Sequence, residues 1–132
     1  MKRLRNEEII AGERVGKIFL GMSLKEFETI FGNENDVINL ETCKTILFDN
    51  AKFWFDLENK LFQIMVFGDF GGKFKKAIGI GDTLSQVEKC IGVYEQVHDT
   101  YTLKGYNGIC FELEDIENWS EQKSPIESIS IY

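Results

Sequence analysis

Two short stretches of the chain share the same order of apolar and polar positions. Residues 18–32 read IFLGMSLKEFETIFG and residues 78–92 read IGIGDTLSQVEKCIG. Aligned without gaps, the stretches are identical at five positions, whereas average residue usage gives about one match. The identical pairs are Ile18/Ile78, Gly21/Gly81, Leu24/Leu84, Glu28/Glu88 and Gly32/Gly92. We infer an internal duplication from this repeat.

Each stretch carries the signals that begin and end a helix. A Ser or Thr followed three residues later by Glu or Gln has the spacing of a capping box, in which each side chain satisfies a free backbone donor. Apolar residues then recur at spacings of three and four, and a glycine stands where a C-terminal cap belongs. The capping pairs are Ser23/Glu26 and Thr83/Gln86, and the closing glycines are Gly32 and Gly92. The pattern predicts helices over residues 24–31 and 84–91.

Alternating apolar and polar positions predict strands after each helix. The clearest alternation covers residues 52–59 and 108–115, and further strands are predicted over 45–50, 61–67, 101–106 and 126–132. The last strands of the two units align Ile64 and Val66 with Ile129 and Ile131. Each unit is thus predicted as β-α-β-β-β, in which a short strand or turn precedes the helix and a three-stranded meander follows it. The predicted class is α+β, a mainly antiparallel sheet with both helices on one face.

The length of 132 residues predicts a single domain. We expect it to contain two repeats, about residues 15–67 and 75–132, joined by a Gly-rich hinge at residues 68–73. With 43% hydrophobic residues and one proline, the composition is typical of a globular protein and argues against disorder. The pattern leaves open whether the repeats form one continuous sheet or two packed sheets.

The net charge of −7 narrows the class of partner. A surface of this sign repels nucleic acid and anionic membranes, and it speeds association with a basic protein. No segment has the apolar length of a signal peptide or a membrane span, so we expect a cytoplasmic protein that does not bind membranes. Cys43, Cys90 and Cys110 lack C-x-x-C spacing and are expected to be reduced structural thiols, the alternative being one reactive thiol.

The motifs of nucleotide, metal and nucleophile chemistry are incomplete in this chain. Gly79 and Gly81 have G-x-G spacing, but Leu84 occupies the third glycine position of a dinucleotide fingerprint. His98 is the only histidine, is expected in an exposed loop, and has no nucleophile motif or metal-ligand spacing beside it. We therefore expect no cofactor, no metal and no enzymatic activity. Acid–base catalysis by carboxylates of the sheet is the alternative, and it would need a cleft.

Residues 16–32, GKIFLGMSLKEFETIFG, predict a helix introduced by LGMS and ended by a glycine. An antiparallel meander follows this helix, and the whole unit is then repeated. This arrangement resembles the tandem architecture of the β-lactamase inhibitor protein family. It is also similar to the related small outer-membrane assembly lipoproteins. A lipobox, a signal sequence and paired disulfide cysteines are not found, so the resemblance implies an inhibitor-like shape without the envelope role. Small acidic cytosolic proteins of this kind resemble immunity proteins of bacterial toxin systems, including contact-dependent growth inhibition.

Aromatic residues set among carboxylates on the helix-free face predict a protein-binding surface, since aromatics anchor and acids select a basic partner. The expected contact residues are Trp54, Asp56, Glu58, Phe67, Glu112 and Glu114, followed by Asp115, Glu117, Trp119 and Glu121 in an acidic stretch. The turn at residues 48–50 is a further candidate. We expect an immunity or inhibitor protein that neutralises a basic toxin, for example a nuclease. The acidic stretch around Trp119 is the favoured patch, because it would block such a nuclease by mimicking nucleic-acid charge. The alternative is a homodimeric structural or small-ligand-binding module.

Overall fold

A computed structural model describes residues 2–132, which form two helices and two antiparallel sheets. The helices are α1 (Leu24–Phe31) and α2 (Leu84–Cys90). The strands are β1 (Ile9–Ile10), β2 (Arg14–Val15), β3 (Ile18–Phe19), β4 (Asp36–Asn39), β5 (Lys44–Leu47), β6 (Ala51–Phe55), β7 (Leu61–Phe67), β8 (Tyr94–Val97), β9 (Thr100–Leu103), β10 (Tyr106–Leu113) and β11 (Ile126–Ile131). Strands β1–β3 form a small sheet, and the other eight form one large sheet in the order β4-β5-β6-β7-β11-β10-β9-β8.

Both helices begin with the predicted capping box. Ser23 Oγ accepts the N–H of Glu26 while the Glu26 carboxylate accepts the N–H of Ser23, each at 3.1 Å. Thr83 and Gln86 make the same reciprocal pair at the start of α2. Helix α1 covers the predicted range, whereas α2 ends one residue earlier than predicted, at Cys90.

A glycine turn before each helix is hydrogen-bonded to the last of the four strands that follow that helix. We call each helix with its four strands one half of the protein. Gly21 donates its N–H to the Leu61 carbonyl at 2.7 Å, and Gly81 donates to the Ile126 carbonyl at 2.9 Å. Leu61 begins β7 and Ile126 begins β11. Both glycines have a φ of +91°, which glycine adopts without the strain that a Cβ brings. The recurrence of this glycine therefore has a backbone reason.

The two halves of the large sheet meet at β7 and β11, which run antiparallel. Met65 lies opposite Ser130, with the pairs Ile64/Ile131 and Val66/Ile129 on either side. The sheet is therefore continuous. The sequence repeat aligns Ile64 with Ile129 and Val66 with Ile131. When each residue is exchanged for its counterpart in this alignment, the pairing of β7 with β11 stays the same.

Each helix is followed by four strands, so the predicted three-stranded meander is one strand short. The missed strands are β4 and β8, which form the two edges of the large sheet. All four residues of β4 and three of the four in β8 are exposed, so neither strand shows the alternation of a half-buried strand. Strand β3 directly precedes α1, whereas residues 68–83, between β7 and α2, contain no strand and only the isolated bridges of Phe74 with Ile78 and with Ile9.

The core lies on one face of the large sheet. The Phe27 ring of α1 packs there, 4.9 Å from the Phe53 ring and 5.4 Å from the Phe55 ring. Leu84 and Val87 of α2 belong to the same buried cluster. The helices cover this face and leave the opposite face without a helix. The coarse prediction of an α+β fold with a mainly antiparallel sheet is confirmed.

Residues 68–73, predicted to be a hinge, pack against the N-terminal segment. Gly71 donates its N–H to Asn6 Oδ1 at 2.7 Å, and the Phe70 side chain is buried. A Cβ on Gly72 would lie 2.0 Å from a backbone oxygen of the N-terminal segment. The glycines of this segment thus permit a close approach of two chain segments, and the segment is a packed connection.

Candidate functional site

The open face is the side of the eight-stranded sheet opposite the helices. On β6, Trp54 lies between the buried Phe53 and Phe55 and therefore faces the other way. Met65 and Phe67 on β7 point to the same side as Trp54, because they alternate with buried residues. All three side chains are partly exposed. The open face thus presents large apolar groups to the exterior.

Small side chains on the central strand leave a groove in the open face. Strand β11 presents Ser128 and Ser130 there, between Met65 and Phe67 on β7 and Glu112 on β10. The two serines are only 3% and 6% exposed because their larger neighbours flank them on both sides. The end of this depression near Ser128 is a cavity of about 430 Å³, which we call the central groove. Its walls are Met65, Phe67 and Ile80, its rim carries Glu112, Glu114 and Glu127, and Ser128 lies at its floor.

Within residues 2–132, the carboxylates at the rim of the central groove have no cationic partner. Among the described residues, the ion pairs are made by Arg3 and Arg14, and none involves Glu112, Glu114 or Glu127. Lys and Arg are also absent from the residues that line the groove. This part of the open face therefore combines an apolar wall with uncompensated negative charge.

The first half of the open face carries a cation, Lys52. Its Nζ lies 4.8 Å from the centroid of the Trp54 ring, a cation–π contact. Lys52 also lies opposite Met65 in the register of β6 and β7. The charge of the open face therefore changes sign between Lys52 on β6 and Glu112 on β10.

Cys110 lies on the open face, opposite Ser130. Burial raises the pKa of the Cys110 thiol above its ordinary value, and the negative charge of Glu112 raises this pKa further. A thiol whose pKa is raised is a weak nucleophile at neutral pH. All three cysteines are free, and the environment of Cys110 favours a structural thiol over a reactive one.

The open face brings together four of the predicted contact residues, Trp54, Phe67, Glu112 and Glu114. Phe67 lies opposite Ser128, and Ser128 lies opposite Glu112, so these two predicted residues flank the same serine. Ser128 Oγ donates a hydrogen bond to Glu112 Oε2 at 3.2 Å, which holds this carboxylate beside the groove floor.

Asp56 and Glu58 lie away from the open face, in the turn between β6 and β7. Strand β6 ends at Phe55, so the predicted alternation extended beyond the strand. Asp56 Oδ1 accepts the N–H groups of Glu58 and Lys60, at 2.9 and 3.0 Å. The Asp56 carboxylate thus closes the turn, as Asp side chains do at such positions.

The acidic stretch of residues 112–121 is divided between the two sides of the sheet. Glu112 and Glu114 line the central groove, whereas Trp119 lines a recess beside Tyr101. Tyr101 is buried and lies opposite Phe111 of the core, so this recess is on the helix side. Trp119 therefore does not share a surface with Glu112 and Glu114.

The other acids of this stretch follow Trp119 to the helix side or lie in the connecting loop. Asp115 lines the recess with Trp119, and Glu117 is exposed in the loop. Glu121 Oε2 accepts a hydrogen bond from the Tyr94 hydroxyl at 3.2 Å. Burial, and then this hydrogen bond, raise the pKa of Tyr94 above its ordinary value. The Glu121 carboxylate is thus engaged within the protein.

The predicted contact residues leave out five residues that complete the central groove: Met65, Gly68, Ile80, Glu127 and Ser128. A signal for the groove was present, because β11 reads IESISI and places serines among isoleucines. Small residues on a strand flanked by larger neighbours leave a depression in a sheet face. Ile80 could not be found in this way, since it reaches the groove from the loop before α2.

The turn at residues 48–50 is used in folding. Asn50 is buried and binds the backbone of Leu4 through both ends of its amide, at 2.8 and 2.9 Å. Phe48 is also buried, and Asp49 pairs with Arg3 at 3.1 Å. These contacts fix the N-terminal segment to the sheet.

Within residues 2–132, no group of three or more His, Cys, Asp or Glu side chains is arranged to hold a metal ion. His98 lies exposed in the turn between β8 and β9, as predicted. None of the helices in this described part is long and apolar enough to cross a bilayer. Comparison with known proteins identifies no relative, since no protein-family model, curated protein or solved structure matches the chain.

Proposed function

We propose that the protein is a non-enzymatic immunity or inhibitor protein that binds and neutralises a basic toxin through its open face. The observation that carries the proposal is a sheet face without a helix cover that presents Trp54, Met65 and Phe67. Beside these groups lie Glu112 and Glu114, carboxylates that form no ion pair with any residue the structure describes. Aromatic and Met side chains supply the buried centre of protein interfaces, while charges select the partner.

The charge of the protein supports a basic partner. The net charge of −7 draws a cationic protein towards this surface and raises its association rate. A toxin that cleaves nucleic acid holds phosphates with cationic residues, and carboxylates at the rim of the groove would take the place of those phosphates. Binding of this kind weakens as salt screens the charges, with a screening length of about 10 Å at 0.1 M.

The repeat architecture supports the same role. Each half consists of a helix followed by antiparallel strands, and we propose that the halves arose by duplication. On the sequence resemblance alone, we propose that this arrangement is akin to the tandem architecture of the β-lactamase inhibitor protein family, in which the shape serves to inhibit another protein. The resemblance favours protein binding over catalysis.

Co-purification from the native host, followed by identification of the captured protein, tests the proposal. We expect a basic protein that is toxic when produced alone and harmless when produced together with this chain. We also expect the complex to weaken as salt is raised. A captured protein that is acidic, or whose toxicity is unchanged by co-production, would rule the proposed function out.

A homodimeric module is the second candidate, and the exposed edge strand β4 favours it. Val37 and Ile38 on β4 are 43% and 51% exposed, and the adjacent Leu40 is 53% exposed. An apolar edge strand can pair with the same strand of a second copy. In that case Ile38→Lys should abolish a dimer seen by sedimentation, whereas substitutions on the open face should leave it unchanged. A monomeric wild-type protein at micromolar concentration would exclude this candidate.

A further inference from the structure

We propose that the central groove receives an arginine side chain of the basic partner. This inference rests on the proposed function, because it names the chemical group that the open face takes from its partner. The groove has a volume of about 430 Å³ and opens onto the same face as Trp54. A single long side chain is therefore a suitable occupant.

The walls of the groove fit the stem of a long cationic side chain. Met65, Phe67 and Ile80 line it with apolar atoms, and the Met65 and Phe67 side chains are already partly exposed. An arginine buries its three methylene groups along apolar surface while its charged end stays at the rim. Its guanidinium plane also stacks on an aromatic face such as that of Phe67.

The rim of the groove fits the charged end of that side chain. Glu112, Glu114 and Glu127 are three carboxylates without an ion-pair partner among the described residues. Ser128 holds one oxygen of Glu112 through the 3.2 Å hydrogen bond and leaves the remaining acceptor positions of this carboxylate for a ligand. A guanidinium donates paired hydrogen bonds to a carboxylate, which an ammonium group cannot do with the same geometry.

Two other recesses of the protein fit an arginine less well. The recess near α1 is lined by Arg3, Arg5 and Lys17, which would repel a guanidinium. The recess beside Trp119 carries Asp99 and Asp115 but is smaller, about 320 Å³. This second recess is the natural rival, and a test has to distinguish the two places.

The probe for this test is N-acetyl-arginine amide, titrated into the isotope-labelled protein while backbone amide signals are followed by NMR. We expect saturable shifts for Phe67, Glu112, Glu114 and Ser128. N-acetyl-citrulline amide has nearly the same shape without the charge, and it should bind at least about tenfold more weakly. N-acetyl-lysine amide with a free side-chain amine should fall between the two.

Two variants locate the binding and provide a matched control. Glu114→Gln removes a rim charge and should weaken arginine binding about tenfold. Asp115 is the next residue but lines the recess beside Trp119, so Asp115→Asn should change arginine binding by less than about twofold. The inference is overturned if citrulline binds as well as arginine, if Asp115→Asn has the larger effect, or if no saturable shifts occur at the groove. The amide spectrum of each variant shows at the same time that it is folded.

The results also separate this inference from the proposed function. One outcome is that the arginine probe fails to bind while substitution of Trp54 still abolishes binding of an identified toxin. In that case only the arginine inference fails. If the probe binds the groove while no basic toxin is neutralised, the proposed function fails and the groove remains a cation site.

Discussion

Met65 and Ser130 lie directly opposite each other on β7 and β11, at the point where the two halves of the large sheet join. The pairs on either side, Ile64 with Ile131 and Val66 with Ile129, are all buried in the core. The halves therefore share backbone hydrogen bonds on one strand boundary and apolar contacts on the helix side. Neither half has a core that is separate from the other.

This shared core predicts that the two halves unfold together. The protein has two tryptophans, Trp54 in the first half and Trp119 in the second, so each half carries its own fluorescent probe. In the variants Trp119→Phe and Trp54→Phe, the remaining tryptophan should follow the same urea transition as the circular dichroism signal of that variant. Two separated transitions within one variant would mean that the halves fold as independent units.

Removal of either capping box should lower the stability of the protein by a similar amount. Ser23→Ala and Thr83→Ala should each lower the free energy of unfolding by about 1 kcal/mol, because each removes the acceptor for a free helix N–H. The double variant should lose about the sum of the two losses, since the caps share no partner. Urea denaturation measures all three values, and an unchanged stability in either single variant would contradict the cap assignment.

The buried contacts of Asn50 predict a larger loss of stability than the capping boxes do. Its side chain accepts the Leu4 N–H and donates to the Leu4 carbonyl in a buried position. Asn50→Ala leaves both backbone groups without a partner and should cost about 2–4 kcal/mol of unfolding free energy. The control is Asn33→Ala at an exposed asparagine, which should change stability by less than about 0.5 kcal/mol. Equal effects of the two substitutions would show that the Asn50 contacts contribute nothing.

The raised pKa of Cys110 predicts a loss of stability in alkali. The folded thiol keeps its proton where the unfolded thiol, with a pKa near 9.0, releases it. The unfolded state therefore binds fewer protons as pH rises past this value, and the free energy of unfolding falls. Burial, followed by the charges of Glu121 and Asp99, also raises the pKa of Tyr101 above 10.0, which continues the fall at higher pH.

Urea denaturation at a series of pH values checks this prediction. The stability of the wild-type protein should be level near neutral pH and decline from about pH 9 upwards. Cys110→Ala should show a smaller decline over the first part of that range, because it has no thiol to ionise on unfolding. An identical pH profile for this variant would contradict the assignment.

The local sequence signals were sufficient for the helices and the inner strands. The capping pairs predicted where α1 and α2 begin, and the apolar pattern of residues 61–67 predicted the whole of β7. The edge strands β4 and β8 were missed because exposed strands have no buried face to produce an alternation. The end of β6 was missed because turn formation by Asp56 is set by its side-chain hydrogen bonds.

The division of residues 112–121 could not be predicted from the sequence. These residues read as one acidic stretch, but the side of the sheet that each one occupies depends on partners far along the chain. Glu121 is held by Tyr94, and Glu112 is held by Ser128. Such long-range contacts leave no trace in local periodicity.

The open face is tested most directly by the affinity of the identified partner for two matched variants. Trp54→Ala with Glu114→Gln removes an apolar anchor and a rim charge from the open face, while Trp119→Ala removes the other tryptophan, on the helix side. We predict that the open-face variant binds at least about tenfold more weakly than the wild-type protein and that Trp119→Ala stays within about twofold. A larger loss with Trp119→Ala than with the open-face variant would contradict the account and place the interface on the helix side.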